Sequence, residues 1–313
     1  MPKLEDRCIV SRTRALTRRD ALLYTGGALV TAGLYPPVEA SAAADLCANH
    51  DWKDLFPYTG GMEAKLPYPG VVTPEIFRSI TDLVIRQYFA QPSYWQMDGE
   101  PYFSFFDVAN LLANFGGSVQ ATRAALDDFR ARTAAAGFRG LHLNLVDWGG
   151  AVTADGNLVK YPELVRDLGF DSVTSYGWTD CTELPKMQTD YDWARAQYFK
   201  HWDQARRSYS VPYIPDVAVG WDPSPRADQS QPYGNFEYPF TNTLSGNTPK
   251  RFREALERTK EKVLGEKTGP RVVTIECWNE WTEGSYLEPD TVHGFQYLEA
   301  VRAVFSSHVA GAA

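Results

Sequence analysis

Cysteine and histidine are both scarce in this sequence, with four and five in 313 residues. Cys8, Cys47, Cys181 and Cys277 lie far apart, as do His50, His142, His201, His293 and His308, so no group has metal-ligand spacing. Beyond the N-terminal segment three cysteines remain, which allows at most one disulfide and leaves its partners open. Cys277 continues an apolar run and reads as a buried thiol rather than a nucleophile. Positive charge is also in deficit. With 31 basic and 39 acidic residues the net charge is −8, the wrong sign for a phosphate backbone, so nucleic acid is not an expected partner. The longest apolar run, from Ala21 to Tyr35, falls short of the roughly 20 residues that span a bilayer. No stable membrane anchor is expected. Nor is there a Gly-rich loop to cradle phosphates or an acidic metal-binding motif, and neither cofactor nor metal is expected.

The N-terminal segment differs from the rest. Six basic residues face four acidic ones over residues 1–42, and "LTRRDALLYTGGALVTAGLY" sets a twin arginine before a short Gly- and Ala-rich run. "VEASAAA" then offers a small-residue cleavage site after Ala42. This is the layout of a bacterial twin-arginine export leader. Residues 1–42 are read as a Tat-type signal peptide with the Tat machinery as partner, and residues 43–313 as an exported domain, periplasmic or extracellular.

From residue 73 onward helix and strand patterns alternate. Thr73 and Pro74 have the chemistry of a helix N-cap and first turn, and Ile76, Phe77, Ile80, Leu83 and Val84 recur at helical spacing as far as Phe89. Strands are expected at 101–108, 140–148, 171–178, 211–221 and Arg271–Cys277. Between them helices are expected from Ser118 to Gly137, over 161–170, about 190–208 and 248–264, with a last one near 294–306. Such alternation predicts an α/β fold, a TIM-type (β/α) barrel. Only five strands are countable, with room for one more in 43–72, against the eight of a complete barrel.

Acidic and aromatic residues recur where the strands end: Asp107, Asp147 with Trp148, Tyr176 with Trp178, Trp221 with Asp222, and Asn279, Glu280 and Trp281. A lone strand-end aspartate is commonly a helix cap, whereas a series of them points to the active face of a barrel. Rings that stack on sugar C–H faces and carboxylates that bind hydroxyls suit an oligo- or polysaccharide. "VVTIECWNEWTEGSYLEPD" (272–290) concentrates both kinds of side chain, with Glu276, Glu280, Glu283 and Glu288 interleaved with Trp278 and Trp281.

"NHDW" (49–52), "YFAQPSYWQMDGEPYFSFFD" (88–107), "VGWDPSPR" (219–226) and "WNEWTEGSYLEPD" resemble the glycoside hydrolase family 99-like, or WbsX-like, domain. The resemblance implies a (β/α)8 barrel and, in the hydrolase members, endo-acting α-mannosidase activity; WbsX-like members are labelled glycosyltransferases of cell-surface polysaccharide synthesis. It also implies that the first βα units are missing here, because little besides the leader precedes "NHDW". By resemblance the catalytic pair is Glu280 and Glu283. Glu283 would be the general acid/base, and Glu280 the base on the sugar 2-hydroxyl, with net retention. Trp221, Asp222, Arg226, Asn279, Trp281, Tyr176 and Tyr94 are the expected substrate-binding residues, with Arg226 or Asn279 as donors that keep the base ionised. Glu276 reads as a pore-lining carboxylate or an ion-pair partner, Glu288 as part of a turn, and His142 as a core histidine. The expected activity is glycoside hydrolysis. The alternatives are a WbsX-like glycosyltransferase and a non-catalytic glycan-binding remnant.

Overall fold

Most helices start on a side chain that satisfies their free N–H groups. The Thr73 hydroxyl accepts from Ile76 N and Pro74 opens α1 (Pro74–Leu83). Asp107 caps α2 (Val108–Ala113), Ser118 caps α3 (Val119–Ala135), Asp190 caps α5 (Tyr191–Ser208) and Thr248 caps α6 (Pro249–Gly265). α4 (Tyr161–Leu168) stops at Gly169, whose φ of 71° is the left-handed closure glycine tolerates best. The last helix is α7 (Gln296–Phe305). Where a single α-helix is expected to run on to Phe89, α1 instead passes into a π-helical turn, Val84–Phe89. Its wider turn brings Val84, Ile85 and Phe89 inward together.

In the computed structural model the described residues are 22–25, 72–228, 230–232, 234–235 and 238–306, the first four as backbone alone. The parallel strands are β1 (Glu100–Phe105), β2 (His142–Asp147), β3 (Ser172–Ser175), β4 (Tyr213–Ile214), β5 (Asp216–Val217) and β6 (Val272–Ile275). β1 to β4 pair in chain order, with Phe103 opposite Leu143, Leu145 opposite Val173 and Thr174 opposite Ile214. Pro215 has no N–H to continue that ladder. Beyond it the same chain pairs as β5 with β6, Val217 opposite Ile275. A further parallel strand, Leu22–Thr25, lies on the outer side of β6. The rest of the segment read as an export leader, and all of "NHDW", lie outside the described residues.

All five expected strands are therefore present and parallel, the one over 211–221 split into β4 and β5, and among the described residues they lie in two hydrogen-bonded sheets. The winding is that of a (β/α) barrel, because the two faces differ. Leu143, Leu145, Val173, Val217, Val273 and Ile275 alternate onto the outer face, where they join Leu126, Phe129, Leu164, Trp202 and Phe252 of the helices in one core. Among the described residues, the apolar cluster on the inner face draws on no helix. The base of that face is a small apolar plug of Tyr102, Ile214 and Val272. Above the plug it turns polar: Asn144 Nδ2 donates to Ser104 Oγ at 2.9 Å, Ser172 Oγ to Asn144 Oδ1 at 2.8 Å, and Thr274 Oγ1 to Asp216 Oδ1 at 3.1 Å. His142, half-buried, joins this chain through Nε2 and Ser172 Oγ at 2.7 Å. One element without a sequence expectation is the antiparallel ribbon 151–160, which reverses at Asp155 and Gly156, both at positive φ.

Candidate active site

The strand ends do not contribute equally. Asp107 is a helix cap, its Oδ1 accepting from Ala109 N and Asn110 N at 2.7 and 3.1 Å. Asp147 is tied to the Tyr209 hydroxyl through Oδ2 and accepts from Gly149 N at 2.7 Å through Oδ1. Trp178 is fully buried and donates to the Asp216 carbonyl at 3.1 Å, so it faces the core rather than a ligand. A half-buried aromatic group remains at the ends of β1 to β3: Trp148 stacks on Tyr176 at 5.0 Å, and Phe106 meets both rings edge-on at 4.7 and 5.0 Å.

The segment after β6, which this group touches where the Tyr176 hydroxyl meets Cys277 Sγ, folds back on itself. Asn279 and Glu280 pair antiparallel with Tyr286 and Ser285, and Gly284, with φ of 60°, turns the chain between them. The turn is joined to the loop after β5 by Asp222 N donating to the Glu283 carbonyl at 2.6 Å. A side chain on Gly284 would put its Cβ 3.0 Å from Asp222 Cβ, so the close approach depends on glycine. Glu280 and Glu283 thereby face one cation. Arg226 donates to Glu283 Oε1 at 2.6 Å, to Glu280 Oε2 at 2.8 Å and, through Nε, to Thr282 Oγ1 at 2.6 Å. Tyr238 hydrogen-bonds Arg226 and donates to Glu283 Oε1 at 2.9 Å. The Glu283 side chain is 8% exposed and that of Glu280 39%. Burial opposes the Arg226 charge, but its pairing with Tyr238, Glu283 and Glu280 outweighs it and keeps the guanidinium protonated.

Of the expected substrate-binding residues, Arg226, Asp222, Asn279 and Trp281 surround the glutamate pair. The exposed Trp281 ring stacks on Tyr286 at 3.9 Å and its Nε1 donates to Glu288 Oε2 at 2.6 Å, which gives Glu288 the turn role expected of it. Trp221 is half-buried and donates to Thr241 Oγ1 at 3.2 Å, with its ring 6.3 Å from Tyr238. Tyr176 belongs to the aromatic wall, and its hydroxyl lies 3.5 Å from Cys277 Sγ. Tyr94 is not brought into this group. It is buried against Phe89 and donates to the Tyr102 carbonyl at 2.7 Å, near the N-terminal end of β1. Cys181 and Cys277 are free thiols, and Cys47 lies outside the described residues.

Three further carboxyls, Glu276, Asp216 and Asp180, lie close enough to act on one another, and Glu276 and Asp180 also feel Glu283. Burial first, then the Glu283 charge, pushes Asp180 up to about 7. Burial holds Asp216 well above the usual carboxylate range, the Asp180 charge adds to this, and its Oδ2 has no hydrogen-bond partner. Such a group binds a proton in the folded chain at pH values where the unfolded chain has lost it, so stability falls as pH rises above the unfolded value of about 3.9. Asp216→Asn is therefore expected to melt higher than the unaltered chain at pH 8, with a gap that closes towards pH 4; equal melting temperatures at pH 8 would contradict a buried neutral Asp216. Among the described residues no group of three or more His, Cys, Asp or Glu side chains is arranged to hold a metal ion.

The sequence profile of the family described as "Glycosyltransferase WbsX" matches residues 46–301. The chain belongs to this family. The WbsX-like resemblance of the motif block thus extends over most of the sequence. Two curated relatives of Xanthomonas campestris pv. campestris, both named "Uncharacterized protein WxcX", are 34% identical. In strain B100 the match runs over 150 residues, 44% of this chain and 20% of the relative. In strain ATCC 33913 it runs over 98 residues, 31% and 12% respectively. This WbsX-family chain therefore matches at most about a fifth of the length of these relatives. Two solved structures of the GH99 endo-alpha-mannosidase from Bacteroides thetaiotaomicron are similar to it at 13% and 14% identity. Their TM-scores are 0.44 and 0.43, covering 74% of this chain and 64% and 61% of theirs, the first in complex with bis-tris-propane. Among the described residues of this WbsX-family member no helix is long and apolar enough to cross a membrane.

Proposed function

We propose that the protein is a carbohydrate-active enzyme that hydrolyses a glycosidic bond with Glu280 and Glu283. The observation that carries this reading is the guanidinium of Arg226 held between the two carboxylates, on the segments that follow the parallel strands β5 and β6, with the half-buried aromatic group reaching the β6 segment where the Tyr176 hydroxyl lies 3.5 Å from Cys277 Sγ. Glu283 is under opposed influences. Arg226 and Tyr238 favour its ionised form, while burial and the neighbouring Glu276 and Asp180 favour the protonated one. A carboxyl so balanced can give a proton to the leaving oxygen and take one from water afterwards. Glu280, more exposed and paired with Arg226, is the base. Trp148, Tyr176 and Trp281 supply rings for sugar faces.

The family's description favours a second reading, transfer of a sugar from a nucleotide donor. A departing diphosphate would meet Glu280, Glu283 and Asp180, and the cation beside them is already shared by two carboxylates. That field favours hydrolysis of uncharged glycans. Export through the twin-arginine leader, away from nucleotide sugars, belongs to the same proposal. Incubation with a panel of bacterial polysaccharides should release new reducing ends without any nucleotide sugar. Consumption of a nucleotide sugar in the absence of such release would establish the transferase instead.

A further inference from the structure

Arg226 Nη1, the Tyr238 hydroxyl and Glu283 Oε1 form a closed triangle of hydrogen bonds. Arg226 Nη1 donates to Glu283 Oε1 at 2.6 Å, Tyr238 donates to the same oxygen at 2.9 Å, and Arg226 Nη1 also donates to the Tyr238 hydroxyl. The hydrogens of this triangle can run only one way round. A guanidinium has donors and no acceptor, so the single phenol hydrogen is left for Glu283. Oε1 thus receives two donors, which fill both of its lone pairs. A proton on Glu283 then has its place on the other oxygen, Oε2. The surrounding contacts hold the triangle still. Arg226 is also engaged by Glu280 through Nη2 at 2.8 Å and by Thr282 through Nε at 2.6 Å. The half-buried Tyr238 ring lies 5.9 Å from the guanidinium carbon and 6.3 Å from the Trp221 ring, and the Trp221 indole is tied to Thr241 of the same loop.

We infer that Tyr238 is a positioning residue for Glu283: together with Arg226 it reserves Oε1 as the accepting oxygen and assigns the exchanged proton to Oε2. The inference rests on the hydrolase reading of the glutamate pair. The arrangement serves both halves of that reaction. While Glu283 holds its proton, Oε1 is the carbonyl oxygen of a carboxylic acid and accepts both hydrogen bonds. Once the proton has passed to the leaving oxygen, Oε1 keeps the same two donors and the carboxylate does not turn. The proton later taken from water returns to Oε2, so giving and taking use one atom in one place. Tyr238 keeps its own hydrogen throughout, because burial above all holds the phenol above its ordinary range. Besides Arg226, Tyr238 and the Glu280 that shares Arg226, the titratable groups that act on Glu283 among the described residues are Glu276 and Cys277 from the β6 segment, and Tyr176 and Asp180 from the segment after β3. Removal of the Tyr238 hydroxyl leaves all of these in place.

The test uses the full chain and Tyr238→Phe, which keeps the ring beside Trp221 and Arg226 and removes only the hydroxyl. With glutamate labelled at its carboxyl carbon for NMR, the Glu283 resonance is assigned by its absence from Glu283→Gln. Loss of one donor to Oε1 disfavours the ionised form, so the Glu283 midpoint should rise by about one pH unit in Tyr238→Phe. Thr241→Val, which frees the Trp221 indole and loosens the same loop, should leave that midpoint where it is. In hydrolysis, Tyr238→Phe should lower kcat roughly tenfold to a hundredfold with KM little changed. The alkaline limb of kcat/KM should rise together with the midpoint. A Glu283 midpoint that stays in place, or that moves equally in Thr241→Val, would overturn the inference. The resonance needs no turnover, so it decides what Tyr238 does to Glu283 even if no glycan proves to be hydrolysed.

Discussion

Replacement of Glu283 by glutamine is expected to lower kcat by at least a hundredfold while the folded structure is retained. The magnitude follows from the proposed role, since a positioned acid/base contributes roughly 100- to 10,000-fold. Retention of the fold follows from the contacts. A glutamine oxygen in the place of Glu283 Oε1 can still accept from Arg226 and Tyr238, and the Glu283 carbonyl still receives Asp222 N at 2.6 Å. What is lost is the proton that Glu283 gives and takes. Reducing-end release measured beside circular dichroism separates the two effects. Undiminished hydrolysis by the variant would remove Glu283 from the mechanism.

The second large effect is expected at Arg226. Its removal, as Arg226→Met, leaves a buried carboxylate at Glu283 without a cation, the situation that commonly costs about 3–5 kcal/mol. The Glu280 contact adds little to this figure because that side chain is partly in water. Glu283 has a way out, which is to take up a proton, and the loss should therefore be smaller at pH 5 than at pH 8. Urea unfolding at the two pH values measures it, and an equal loss at both would mean that the pair is not electrostatic in origin. Arg226→Lys should recover part of the stability but little of the activity. An ammonium cannot reach Glu280, Glu283 and Thr282 with the fixed donor geometry of a guanidinium.

Much of the scaffold was legible because helical and strand periodicities alternate clearly after residue 73, and because Thr73, Asp107, Ser118, Asp190 and Thr248 stand where caps are needed. The same habit misleads at Asp107, where the strand-end acid is only a cap. The ribbon 151–160 carried a usable signal, Asp155-Gly156 between apolar pairs, that was absorbed into the gap between a strand and a helix. Tyr94 precedes β1, so it could be assigned to the end of the sheet opposite the candidate site from strand direction alone. Tyr238 had no such signal. It belongs to a long loop without periodicity, and only the fold brings it to Glu283. The acidic group of Glu276, Asp216 and Asp180 was hidden for a related reason. Alternation tells which face a residue occupies, but not that three separate segments bring their carboxyls together.

The Pro215 break between β4 and β5 has a consequence for recognition. The aromatic wall stands on β1 to β3 and the carboxylates follow β6, so the two halves of the site belong to two hydrogen-bonded sheets. They are joined through the five residues 213–217, where the Pro215 carbonyl accepts from Thr274 N at 2.9 Å. A sugar chain that touched both halves, as the proposed function implies, would span a seam in the protein and act as a clasp across it. Under the proposed glycan hydrolysis, binding free energy from such a contact would also strengthen the junction, and a bound glycan would raise the melting temperature.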